Sequence, residues 1–278
     1  MFACMPSRWW HRLGPQLWYC ITVTISVLPL VKAAFVGALP KSIEFIHMDF
    51  ECLSLADHPG NLPDAVALTF SVIEGGAAHF ERFGVACPAS VARAVLKRKA
   101  EYLAGRRVAL QALRKAGIET SDMGIGLMGA PNWPSGYTGS ITHSENMAVA
   151  VAMPASEVQG VGIDLEKFAS AHAISAIQQV VLSPAEMDAL YPLTLHFGPP
   201  AAATIAFSAK ESFYKATAAL VGRIFDFSAV RITSACTDLG VIEARVAETL
   251  TTGIVSGRIF SMGFSVLDNE AVITSCVW

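Results

Sequence analysis

Charge is scarce in this chain: Asp, Glu, Lys and Arg make up 15% of 278 residues, and the formal net charge is −3. That balance excludes a globally basic nucleic-acid binder, while leaving room for a local basic pocket. It also excludes a largely disordered chain, because 53% of the residues are hydrophobic and such a composition buries a core. Cysteine is sparse and unpatterned. The six cysteines form no C-x-x-C pair and no zinc spacing, which points to free, mostly buried thiols in a reducing compartment rather than a metal staple. No sequence repeat links the two halves, so any internal symmetry has to be structural.

What is present reads, from about Leu62, as a compact α/β protein. Residues 65–72, 139–142, 148–153 and 158–165 read as strands, the second and third paired across a turn at 144–146. Residues 90–116 carry a helical stripe through Val91, Val95, Leu103, Val108 and Ala112, with Gly117 as C-cap. Gly105 inside that helix costs about 1 kcal/mol against alanine, so close packing is expected there. The Pro- and Gly-rich residues 129–139 are loop. Helices are expected at 171–181, after the Ser183-Pro184-Ala185-Glu186 start, and over 201–220, with strands at 241–246, 258–266 and 271–277. The expected fold is therefore α/β of the α+β type: an apolar extension over 1–61, then two similar subdomains, 62–158 and 159–278, each a small antiparallel sheet with packed helices.

Two stretches carry the chemistry. In Gly160-Val161-Gly162-Ile163-Asp164-Leu165-Glu166 the alternation puts Asp164 and Glu166 on one side of a strand end. Two carboxylates so close repel unless a cation sits between them. The bland alternative is a strand running into a polar turn. In Ala206-Phe207-Ser208-Ala209-Lys210-Glu211-Ser212-Phe213-Tyr214-Lys215, Glu211 reads either as a third acid of the same site or as a helix-start residue. Ser208 and Glu211 fit a capping box, and Glu211 and Lys215 fit an i,i+4 ion pair. The flanking aromatics favour a site over a solvated face. His143 is either an exposed turn residue or, with Thr142, a donor to phosphate oxygens. Arg98 and Arg106, eight residues apart on one helix, are either a phosphate-reading pair or solvated charges.

Taken in order, these stretches resemble the 4′-phosphopantetheinyl transferases, specifically the branch associated with enterobactin synthase. The elements carrying the resemblance are Lys97-Arg98-Lys99-Ala100-Glu101-Tyr102-Leu103-Ala104-Gly105-Arg106, Pro131-Asn132-Trp133-Pro134, Gly139-Ser140-Ile141-Thr142-His143, the Asp164/Glu166 strand and the Phe207–Ser212 helix. The resemblance implies a pseudo-twofold fold with coenzyme A between the halves. It implies transfer of the phosphopantetheine arm to a serine of an acyl or peptidyl carrier protein, for a siderophore-making peptide synthetase, with a non-catalytic coenzyme A or carrier-protein binding module as the alternative. Asp164, Glu166 and Glu211 would then hold Mg²⁺ on the pyrophosphate, Glu211 would be the base for the carrier serine, and Lys215 would serve the departing phosphate. Lys210, Lys215, His143, Thr142, Arg98 and Arg106 would bind coenzyme phosphates. One departure stands out: relatives often carry Lys or Arg just before the P-x-W-P element, where this chain has Leu127-Met128-Gly129-Ala130.

The first forty residues are of another kind. Arg8, His11 and Arg12 precede an uncharged run from Leu17 to Val31, then Lys32 and small residues to Ala38. The pattern resembles a secretory signal. A spanning helix is the rival, cut short by Pro29 and Lys32 of the ~20 apolar residues it needs. An upstream start codon, with Met48 the true start, is the third reading. Cytosolic coenzyme ranks signal cleavage below the other two, so a cytoplasmic protein is expected, with membrane contact through residues 13–39 left open.

Overall fold

A computed structural model describes residues 50–278 except 121, 122, 127 and 128, so the basic and apolar stretches before Met48 lie outside the described residues. Two antiparallel sheets, each with a long helix packed on it, make up the described chain. The first sheet has the order β1-β2-β4-β3, from β1 (Glu51–Leu53), β2 (Ala65–Thr69), β3 (Tyr137–Ser144) and β4 (Met147–Pro154). Between β2 and β3 come α1 (Ala77–Phe83), α2 (Ala89–Ala92) and α3 (Leu96–Lys115). The second sheet, β5-β9-β8-β7-β6, is built from β5 (Val161–Lys167), β6 (Val230–Cys236), β7 (Val241–Val246), β8 (Ile259–Leu267) and β9 (Ala271–Val277). Its helices are α4 (Ala171–Val180), α5 (Pro184–Ala189) and α6 (Tyr191–Val221).

The expected strand pair across residues 144–146 is the β3–β4 hairpin, closed by Glu145 at φ 50. β4 is a nearly continuous apolar run because it lies inside the sheet and is buried along its length. The single helix expected over 90–116 is broken into α2 and α3 at 93–95. Gly105 does pack closely: a Cβ there would sit 3.1 Å from Ile141 Cγ2. The helix expected over 201–220 starts earlier, at Tyr191, and kinks at Gly198, whose φ of 84 only glycine adopts freely. Pro199 and Pro200 follow, where a helix's first turn tolerates them. Glu51–Leu53 pairs with β2, and Leu55 is fully buried. β1 begins eleven residues, and the buried core at Leu55 seven residues, before the boundary expected at residue 62.

Two features seal the halves together. Leu55, Leu62, Val149, Val151, Ile163, Leu165 and Ile273 share one core, drawn from both sheets. The segment between β1 and β2 also lies across the second sheet, where buried His58 hydrogen-bonds Ser275 Oγ and Ser265 Oγ, each at 2.8 Å. Burial depresses the His58 imidazole to about 4, with Asp57 opposing.

Candidate active site

The site grows from the seam between edge strands β3 and β5. Here side-chain hydroxyls replace main-chain pairing: Ile163 N–H donates to Ser140 Oγ at 3.0 Å and Leu165 N–H to Thr142 Oγ1 at 3.1 Å. Thr142 then passes its own proton toward Asp164 Oδ1 at 3.3 Å. On the other side, β5 lies flat against α6. A Cβ on Gly162 would collide with the Ser212 carbonyl oxygen, and one on Gly160 with that of Ala216. Glycine at these two positions is what lets strand and helix bring their acids together.

Asp164 is fully buried, and its Oδ1 also accepts from Lys215 Nζ at 2.7 Å. Lys215 Nζ donates as well to the Ile163 carbonyl at 3.1 Å. Three buried carboxylate oxygens lack any hydrogen-bond donor among the described residues: Asp164 Oδ2, Glu166 Oε1 and Glu211 Oε1. Burial, and then the charge of Asp164, hold the Glu166 carboxyl well above the usual range. The same two causes in the same order push Glu211 up to about 8, against the pull of Lys215. The acids therefore form an electrostatic deficit that a cation would relieve.

Next to the acids opens a cavity of about 310 Å³, with Arg98, Arg106, Thr142, His143 and Lys215 in its lining. Arg106 is 5% exposed, donates to the Gly124 carbonyl at 3.0 Å and lies 4.9 Å from the Tyr102 ring, while its Nε and Nη1 have no acceptor among the described residues. Arg98 contacts Glu101 at 3.7 Å. Burial, followed by the cations Arg98, Lys215 and Lys97, keeps His143 neutral well below its usual range. A neutral imidazole beside two guanidinium groups would bind an anion, whose charge would favour its protonation. The P-x-W-P loop supplies Ile125, Gly129 and Pro131 to the lining, none of them basic. A larger cavity of about 590 Å³, around Phe80, Val85, Cys87 and Lys99, shares no residue with this one.

Lys210 departs from expectation. It is 1% exposed and faces away into the second half, with Nζ 2.6 Å from Glu186 Oε1 and donating to the carbonyls of Val181 at 2.9 Å and Phe227 at 3.1 Å. It ties α5, α6 and the turn before β6, so its expected role on coenzyme phosphate is corrected to a structural one. Glu186 is itself the N3 residue of α5, its Oε2 accepting from Ser183 N–H at 2.9 Å. The capping-box reading of Ser208 and Glu211 also falls, because α6 has begun well before Ser208. The Ser208 hydroxyl instead donates to the Asp164 carbonyl at 3.2 Å and pairs with Thr274 Oγ1 at 2.9 Å, which in turn meets Ser212 Oγ at 2.6 Å. These hydroxyls and Ser140 hold the acid-bearing strand from both sides, and the sequence reading missed their part. Their signal was polarity in segments otherwise apolar enough to be buried, as with Thr274 and Ser275 in β9.

Buried acids beside an arginine- and histidine-lined cavity define a class: a centre suited to an anionic phosphate ester and a hard divalent cation. Residues 87–153 match the family model of the 4′-phosphopantetheinyl transferase N-terminal domain, and residues 160–251 that of the 4′-phosphopantetheinyl transferase superfamily. The chain belongs to that superfamily. It is 42% identical over 138 residues to enterobactin synthase component D of Salmonella typhi, covering 50% of this chain and 56% of that protein. Against the component D of Salmonella austin it is 37% identical over 183 residues, 64% of this chain and 73% of the relative. The 4′-phosphopantetheinyl transferase PptT of Mycobacterium tuberculosis is 34% identical over 148 residues, 51% of this chain and 61% of that one. The first of these matches thus spans little more than half the relative's length.

Mg²⁺ is the cation the family implies, and the donor set fits it. The candidate ligands are hard carboxylate oxygens, one on each of three acids, buried and lacking donors. Among the described residues, no helix is long and apolar enough to cross a membrane.

Proposed function

We propose that this protein transfers the 4′-phosphopantetheine arm of coenzyme A to a serine hydroxyl of an acyl or peptidyl carrier protein domain, serving a siderophore-making peptide synthetase. The observation that carries the reading is the junction at Lys215: one ammonium borders both the buried acids and the cavity lined by Arg98, Arg106 and His143. Few chemistries need acids for a cation and cations for an anion side by side, and phosphoryl transfer is one.

In this mechanism the coenzyme's terminal nucleotide phosphates bind Arg98, Arg106 and His143, which fix the electrophile by charge and shape. Asp164, Glu166 and Glu211 would hold Mg²⁺, which supplies neutralisation of the pyrophosphate charge when bound. Glu211 accepts the proton of the carrier serine, directly or through water, as the serine oxygen bonds to the phosphorus that carries the pantetheine arm. The bond from that phosphorus to the bridging oxygen breaks, and 3′,5′-ADP leaves with its new negative charge met by Lys215. Thr142 and Ser140 hold β5 in place throughout.

Incubation with coenzyme A, Mg²⁺ and an apo-carrier protein should add the mass of one phosphopantetheine arm to the carrier. A protein that binds coenzyme A yet leaves every carrier unmodified would instead be a binding module.

A further inference from the structure

We propose that Lys215 is a stand-in for the metal ion: without the metal its ammonium occupies the cationic position at Asp164, and metal binding exchanges the two and turns the ammonium toward the phosphate cavity. The inference rests on the proposed reading of the three acids as metal ligands.

Three observations support it. The ammonium lies 2.7 Å from Asp164 Oδ1, at hydrogen-bonding distance from an oxygen of a candidate metal ligand. It is anchored there by the Ile163 carbonyl at 3.1 Å, on the same strand as the acids. And Lys215 also borders the cavity that holds Arg98, Arg106, Thr142 and His143, so a change of rotamer, without movement of α6, moves its charge from one compartment to the other. A lysine is suited to such an exchange. Its ammonium is a point charge on a flexible stem, whereas an arginine fork would have to break a fixed two-point geometry. Asp164 does not depend on the lysine for its orientation, because Thr142 Oγ1 donates to the same oxygen at 3.3 Å.

Two consequences follow. The metal would meet Asp164 at Oδ2 while the ammonium holds Oδ1 of the same carboxylate, so two cations compete for one negative charge and affinity for metal alone is weakened. A phosphate ester in the cavity attracts the released ammonium, so coenzyme and metal promote each other's binding, by equal factors as linkage requires.

Mn²⁺ serves as the probe, with free Mn²⁺ counted by electron paramagnetic resonance during titration of the full chain without coenzyme. Lys215→Met should bind Mn²⁺ about tenfold more tightly than the unaltered protein, a coupling of ordinary size. Equal or weaker binding by Lys215→Met overturns the exchange while leaving the acids as ligands. No Mn²⁺ binding by the unaltered protein, or binding that Asp164→Asn leaves intact, removes the metal reading beneath it. Should Lys215→Met not fold, crystals of the unaltered protein soaked in Mn²⁺ decide: the ammonium should leave Asp164, and an ammonium still bonded there beside a bound Mn²⁺ overturns the proposal.

Discussion

Glu211 is the residue where the proposed catalysis and stability pull apart. Its carboxyl is pushed to about 8 in the folded, metal-free chain, raised first by burial and then by Asp164, against the ordinary value of 4.5. Between those two pH values the folded protein holds a proton that the unfolded chain has lost, so folding is penalised as pH rises through that window. Glu211→Gln removes the penalty. It should abolish transfer while stabilising the metal-free protein by about 3 kcal/mol at pH 7, seen as a higher melting temperature that falls back toward wild type when Mg²⁺ is added to both. A variant that loses stability with or without metal would make Glu211 a structural residue. The sequence showed Glu211 but not its setting. Whether Ser208 caps a helix is decided by the helix itself, which already runs from Pro199 through Ser208, so the Ser208 hydroxyl is left to meet the Asp164 carbonyl and Thr274 instead.

The element that positions this residue is α6, and its tolerance is measured by glycines on β5. Gly162→Ala would drive a methyl into the Ser212 carbonyl, forcing strand and helix apart with no flexible side chain to yield. A cost of about 3 kcal/mol, the upper end for overpacking, and a large loss of transfer are expected in denaturant unfolding and carrier-modification assays. Gly105→Ala is the control. Its new methyl meets only the end of Ile141 at 3.1 Å, and helix propensity returns about 1 kcal/mol, so it should fold and work nearly normally. Much of this level was legible from pattern alone: the β3–β4 hairpin, α3, β5 and the three C-terminal strands stand close to where alternation and helical periodicity put them. β1, β6 and α1 were not. β1 has only three residues, too short for any period, and β6 (Val230–Cys236) carries exposed residues past a register shift near Ser234. Lys210 and Lys215 were equally prominent in the sequence, yet they part company because five residues of helix turn them to different faces.

For the whole molecule, His58 is the joint whose state depends on pH. The imidazole is depressed to about 4 by burial, below its ordinary value of about 6.5. Between those values the unfolded chain binds a proton that the folded one refuses, so stability is lost as pH falls through the window, by about 3 kcal/mol in full. Glu166 and Glu211, being raised, push the opposite way as pH falls. The informative quantity is therefore the difference between wild type and His58→Gln in urea unfolding at pH 7, 6 and 5. That difference should shift against the wild type as pH drops, and parallel profiles would show that His58 carries no such burden. This joint was invisible in the sequence, since one histidine in a turn says nothing of two serines more than two hundred residues away.

The hydroxyl-stitched seam between β3 and β5 has a consequence for how this protein comes into being. Neither half carries the whole candidate site, because Thr142 belongs to the first sheet and the Asp164 it orients to the second. During synthesis the first sheet is finished before the acids of β5 and α6 have a partner, and the acids gain their setting only when β9, the last strand of the described chain, flanks β5. The proposed transfer would therefore count only fully assembled molecules, and a truncated or half-folded chain would be silent rather than promiscuous.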